Sequence, residues 1–199
     1  MSMAHDTDLA VLIGSRICHD LVNPIGAIGN GVELLSMVSS RSEELALIHD
    51  SVALAQARIG LLRLAFGTAG AEAQIAGHEL AETLGGPALG ERFSVACSLP
   101  QALPRREARL ATLMVLCCQS VMPRGGQIDL QAGLEGWRIA ATAPRLQIDI
   151  LPWAALTGGK PMPPLIAAQV HFALARAALV ETGRPLQSAT DEGRLTLSF

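Results

Sequence analysis

Residues 40–66, SRSEELALIHDSVALAQARIGLLRLAF, are the stretch from which the fold of this chain is read. Ser40 and Glu43 form an S-x-x-E capping box, the local signature of a helix start. Behind it Leu45, Ile48, Val52, Ala55, Ile59, Leu62 and Phe66 recur at alternating spacings of three and four. That is an a/d seam, the narrow apolar stripe of a helical bundle. Gly67 and Gly70 follow as a C-terminal stop. An amphipathic helix lying on an ordinary globular core is the alternative, but the unbroken seam favours a bundle.

Upstream, a second helical face runs through Leu9, Ile13, Ile17, Leu21, Ile28, Val32 and Leu35. The link at Ser39–Ser42 is short, so the two helices are expected to be antiparallel neighbours. Two helices enclose no core by themselves. A homodimer pairing two hairpins into a four-helix bundle is the simplest way to cover both seams.

After residue 70 the pattern changes. A helix is expected at Ala73–Leu84, a strand at Arg92–Leu99 and an apolar helix at Arg105–Val121. A hairpin at Gln127–Ala132 and Trp137–Thr142 follows the turn Pro123–Gly126. The proline-rich loop Lys160–Pro164 precedes a helix at Leu165–Thr182, and a last hairpin joins Leu186–Thr190 to Arg194–Phe199. The expected architecture is α+β: a helical hairpin over residues 1–69, then an α/β domain over 70–199 with helices on a mostly antiparallel or mixed sheet.

Composition narrows the function. The chain has 199 residues, half of them hydrophobic, which excludes a disordered chain. A net charge of −3 and six Phe and Trp residues without any Tyr argue against nucleic acid as a partner. The longest apolar run, Leu110–Cys118, is about half of the ~20 residues a membrane span needs. Asp6 and Asp8 precede the short run Leu9–Ile13, unlike a secretory signal. Cys18, Cys97, Cys117 and Cys118 fit neither a disulfide framework nor paired zinc ligands. A cytoplasmic protein with no membrane partner is expected.

The chemistry concentrates in Ser15–Ile25, SRICHDLVNPI. At ~100° per residue His19 lies ~160° from Ile17 and from Leu21, so it points away from the apolar face. A histidine that carries a phosphoryl group must be exposed and held in one tautomer. Asp20 can accept a hydrogen bond from Nδ1–H, leaving Nε2 free to attack. Asn23, one turn on, can bond phosphoryl oxygens, and Arg16 can offset the incoming negative charge. Pro24 removes a helical hydrogen bond and is expected to kink the helix. Gly26, Gly29 and Gly31 each cost ~1 kcal/mol in a helix interior. They imply either a close backbone approach, by the paired helix or a docking protein, or a helix break. His5, His49, His78 and His171 read as ordinary solvated side chains, and Cys117–Cys118 as small core residues.

The run H-D-x-x-N-P-I resembles the H-box of histidine-kinase dimerisation domains. The longer string Ser15–Ile28, together with Met122–Gly126, looks closer to the ChpT-type histidine phosphotransferases of alphaproteobacteria. The resemblance spans essentially the whole chain and implies a dimeric helical hairpin followed by a degenerate kinase-ATPase-like α/β sandwich. It implies phosphoryl transfer from the receiver aspartate of a hybrid histidine kinase to His19, and onward to response-regulator receivers. Mg²⁺ in such reactions belongs to the receiver, so no cofactor is expected in this chain. A kinase would carry Asn residues for Mg²⁺ where Leu113–Gln119 stand, an Asp-x-Gly-x-Gly where Ala141–Arg145 stand, and a glycine-rich lid where Pro163–Ala167 stand. Thr157–Pro161 is no P-loop either. An ATP-dependent histidine kinase and a docking scaffold with a vestigial H-box are the competing functions. The docking surface is expected along the exposed stripe of the first helix at Gly26 and Ala27, bordered by Arg58 or Arg63 where the second helix passes His19.

Overall fold

The computed structural model describes residues 25, 26, 28–30, 32, 33, 43–67, 70 and 72–199. The described residues between 25 and 33 are helical. Helix α1 (Glu43–Phe66) follows, then strand β1 (Gln74–Ala76), helix α2 (Gly77–Gly85), strands β2 (Phe93–Ser98) and β3 (Ala102–Pro104), and helix α3 (Arg105–Ser120). The chain continues through β4 (Gly126–Gly133), β5 (Gly136–Thr142), α4 (Ile150–Thr157), α5 (Val170–Thr182), β6 (Gln187–Asp191) and β7 (Arg194–Ser198).

Five strands form one mixed sheet in the order β2-β4-β5-β7-β6, and β1 pairs with β3 in a separate two-stranded ladder. Strand β2 runs parallel to β4, while all other neighbours are antiparallel. A parallel pair needs a long crossover, and α3 is that crossover. Period-two alternation puts Ile128, Leu130, Ile139, Ala141, Leu195 and Leu197 on the buried face, while Gln127, Gln131, Arg138 and Thr142 are exposed. The sheet is therefore covered on one side, with α2 against β2 and α3 against β5, and α5 packs on α3. The turn before β4 depends on Gly125, whose φ is +84° and whose Cβ would stand 2.1 Å from the Arg92 carbonyl oxygen.

Three local expectations are corrected. The helix expected at Ala73–Leu84 begins only at Gly77, because residues 74–76 pair with Ala102–Pro104. That partner is distant in sequence, and a local pattern cannot register it. The helix expected from Leu165 starts at Val170; Pro163 and Pro164 cannot extend it, and a 3-10 turn at Ala167–Gln169 leads in. Helix α4 stands where no helix is expected. Its Pro152 sits in the first turn, where the missing N–H is no loss.

Helix α1 shows more than the seam. Leu61, Leu64 and Ala65 are buried against α3 and the 3-10 turn Pro87–Leu89 that follows α2. On the seam itself Ile59 is buried, Val52, Ala55 and Phe66 are half-buried, and Ile48 and Leu62 are exposed. The side chain of Leu45, and both Ser40 and the link at Ser39–Ser42, lie outside the described residues. The globular-core reading thus holds for one face of α1, the face opposite the seam.

At one end of the sheet the chain terminus is tied down. Trp137 and Phe199 exchange backbone hydrogen bonds and their rings stack at 6.2 Å. Trp137 Nε1 donates to Glu107 at 3.0 Å, and Arg184 donates to the same carboxylate at 2.9 Å. Burial pushes the Glu107 carboxyl pKa up, but the hydrogen bonds from Arg184 and Trp137 and the charges of Arg184 and Arg106 outweigh it, and the pKa lies below its ordinary value. A depressed carboxyl stabilises the fold above the unfolded pKa and loses that contribution as pH falls through the folded one. Glu107→Gln is expected to cost about 1–2 kcal/mol at pH 7 in urea unfolding. The gap to wild type should shrink as pH falls below the ordinary glutamate pKa of about 4.3.

Candidate functional site

His19, Asp20, Asn23, Arg16 and Ala27 lie outside the described residues, as do Cys18, Pro24 and His5. The structure describes the frame around them. Gly29 lies against α1, where a Cβ would stand 3.3 Å from Val52 Cγ1 and 3.4 Å from Gln56 Nε2. Its missing side chain is thus explained by close approach of the paired helix. Gly26 differs: it is half-buried, yet a Cβ placed on it would meet no described atom within 4 Å.

The two candidate border residues are separated. Arg58 and Arg63 are both exposed on α1, but five helical residues turn through ~140°, so they point to different sides. Arg63 shares its side with Val52 and Gln56, the residues that receive Gly29. It lines a cleft of about 510 Å³ with Gly60, Leu64, Gly67, Glu79, Thr83 and Arg105. Arg58 points away from that side.

On the other flank of α1, a cleft of about 530 Å³ opens between Leu62 and Phe66 and the α/β domain. Phe93, Leu116 and Val170 give it apolar walls, and Arg92, Gln119 and His171 also line it. Here the sequence expectation for His171 is corrected. His49 and His78 are exposed, but His171 is 8% exposed, and its Nε2 has no hydrogen-bond partner. It stands in the first turn of α5, next to Phe172, with ring centroids 4.8 Å apart. Burial pushes its pKa down to about 4. No local pattern gives this away, because the neighbours that bury it come from other elements.

Cys117 and Cys118 are fully buried core residues of α3, as expected. Burial raises both thiol pKa values, that of Cys118 to about 12. Neutral buried thiols offer nothing to a hard cation such as Mg²⁺. Among the described residues no cluster of His, Cys, Asp and Glu is arranged to hold a metal ion, and no helix is long and apolar enough to cross a membrane.

Residues 77–194 match the family described as histidine phosphotransferase C-terminal domain. The chain is 35% identical over 145 residues to the protein phosphotransferase ChpT of Brucella abortus (strain 2308), covering 72% of this chain and 67% of that one. A solved bacterial phosphotransferase superposes with a TM-score of 0.71 at 25% identity, over 98% of this chain and 96% of that one.

The buried imidazole yields a pH dependence. A histidine whose pKa is depressed by folding is neutral in the native state, and the unfolded chain takes up the proton first. Its stabilising effect is complete above about pH 6.5 and is lost as pH falls toward 4, by on the order of 3 kcal/mol. His171→Asn removes the titration. The fall in urea unfolding free energy between pH 7 and pH 4.5 should therefore be about 2–3 kcal/mol smaller in the variant.

Proposed function

Because this chain belongs to the histidine phosphotransferase family and is a phosphotransferase, we propose that His19 is the residue that carries the phosphoryl group. The observation that carries this reading is His19-Asp20 followed by Asn23-Pro24, within a segment whose described continuation is helical. In the forward step the Nε2 lone pair attacks the phosphorus of a receiver aspartyl phosphate. The P–O bond to the aspartate breaks, the carboxylate leaves with the electron pair, and a P–N bond forms. The proton stays on Nδ1, where Asp20 accepts its hydrogen bond and balances the ring's charge. Asn23 and Arg16 face the phosphoryl oxygens. The reverse reaction loads the receiver of a response regulator. Mg²⁺ is supplied by the receiver, and the α/β domain needs no nucleotide; the buried thiols of α3 support that.

The receiver of a hybrid histidine kinase and those of response regulators dock on the stripe past His19, at Gly26 and Ala27. Arg63 borders this stripe, on the side of α1 that receives Gly29. The described thiols Cys97, Cys117 and Cys118 are free, as a reducing cytoplasm keeps them.

The direct experiment is incubation with a receiver domain charged with acetyl phosphate. Wild type is expected to acquire acid-labile, base-stable label, and His19→Ala none while keeping its fold. The same protein with labelled ATP and Mg²⁺ should stay unlabelled and give no saturable heat in calorimetry. No label on wild type would return the chain to the scaffold class, micromolar ATP binding would return it to the kinase class, and label retained on His19→Ala would refute His19 as the acceptor.

The open part of the seam supports a homodimer. Ile28, Ile48 and Leu62 are 53%, 44% and 38% exposed on the hairpin, and a second copy covers them in a four-helix bundle. Light scattering at micromolar concentration should give a dimer for wild type. Ile48→Glu should shift it to monomer with the α/β domain still folded.

A further inference from the structure

Arg109 is the one buried arginine among the described residues, and the proposed chemistry leaves it unused. It stands early in α3, and its guanidinium meets the ends of two other helices. Nε donates to the Ala65 carbonyl oxygen at 3.1 Å, in the last turn of α1. Nη1 reaches Glu181 Oε2 at 3.4 Å, in the last turn of α5. Both helices present the negative ends of their dipoles, which a buried cation suits. Nη2 is buried without a partner. Burial lowers the pKa of the guanidinium and Glu181 acts against this; a guanidinium nonetheless stays charged at any working pH.

The joint it occupies is narrow. At ~100° per residue, Leu61, Leu64 and Ala65 span one side of α1, with the two clefts on either flank of it. Leu62 and Phe66 open onto one cleft, Gly60, Arg63 and Gly67 onto the other. The end of α1 thus rests on the α/β domain along Leu61, Leu64 and Ala65, with Ala57 and Phe66 packed at the edges and a cleft on either flank. Apolar contacts of that kind are non-directional. The hydrogen bond from Arg109 to Ala65 is the directional element at the stripe. A buried charge with one unsatisfied N–H is a poor way to gain stability, since an apolar residue of similar volume is often as good or better.

We propose that Arg109 is a positioning residue for phosphoryl relay: it locks the angle between the hairpin and the α/β domain, so that an incoming receiver finds the docking stripe unobstructed. The proposal rests on the reading of His19 given above. Without the lock the α/β domain pivots on its narrow stripe and covers the hairpin part of the time. A receiver then binds only the open fraction, and the apparent affinity falls by that fraction while the chemistry in the docked complex is unchanged.

The test compares Arg109→Met, Arg109→Lys and Glu181→Gln with wild type. Three quantities are read: urea unfolding, labelling by phosphoramidate, and KM and kcat for transfer from a receiver charged with acetyl phosphate. In Arg109→Met, KM is expected to rise about tenfold, with kcat and phosphoramidate labelling within twofold, as for an open fraction of about one tenth. Arg109→Lys keeps a donor for Ala65 and should recover part of that loss. An unchanged KM in folded Arg109→Met overturns the proposal. So does a parallel loss of phosphoramidate labelling and kcat, which would mark a collapsed site rather than a moved domain. If Arg109→Met does not fold, Glu181→Gln decides: removing one tie at the exposed end should still raise KM severalfold, and an unchanged KM refutes the lock. Failure of the His19 reading shows separately, as label retained in His19→Ala.

Discussion

From Ala108 to Cys118 helix α3 has no exposed side, and the structure is arranged to cover it. Of its 16 residues, ten are buried, among them Leu110, Leu113, Met114, Val115, Cys117 and Cys118. A helix with no polar face must be enclosed on all sides. The sheet supplies one wall through Ile128, Leu130, Ile139 and Leu197, α5 a second through Phe172, Leu174 and Ala175, and the end of α1 a third through Leu61, Leu64 and Ala65. Each large side chain buried this way contributes about 1.5–3 kcal/mol. Even Thr112, in the middle of the helix, turns its hydroxyl back to the Ala108 carbonyl rather than toward water.

This enclosure gives α1 two tasks. One of its faces belongs to the hairpin, where Val52 and Gln56 meet Gly29 and where Ile48 and Leu62 remain open. The opposite face, at Leu61, Leu64 and Ala65, closes the core of the α/β domain. A single helix thereby connects the helical segment around Gly29 to the α/β domain, without a flexible linker between the two packed faces. The stop at Gly67, whose N–H donates to the Arg63 carbonyl, comes directly after the buried turn.

The sequence made some parts of this legible and hid others for physical reasons. Strands β4, β5 and β7 announce themselves because one face is buried and one is wet, and Gly133–Gly136 and Asp191–Gly193 mark the turns. Helix α3 is visible as an apolar run too short for a membrane. Strands β1 and β3 are three residues each and exist only because they find each other across the intervening chain. The second face of α1 is hidden for a different reason. Ala57, Leu61 and Leu64 recur at helical spacing just as the seam does, so a search for one stripe stops at the first one found. His19, Asp20, Asn23 and Pro24 are readable as a motif because the chemistry proposed for them depends on local spacing. His171 and Arg109 are not, since burial and a distant carbonyl give each its character.

The distribution of unsatisfied groups separates the two sides of the α/β domain. Among the described residues, the buried side-chain atoms without a hydrogen-bond partner are Arg109 Nη2, Trp153 Nε1 and His171 Nε2. All three are tied to α5: Arg109 through Glu181, Trp153 through its edge-on contact with Phe172 at 5.5 Å, and His171 as part of the helix. Each orphaned group costs on the order of 1–3 kcal/mol. The sheet, by contrast, pairs its strands in register, and the indole N–H of Trp137 on β5 finds Glu107. Local opening draws on the least well satisfied contacts. The helical layer around α5 therefore holds the less completely satisfied contacts, and the sheet the more completely satisfied ones.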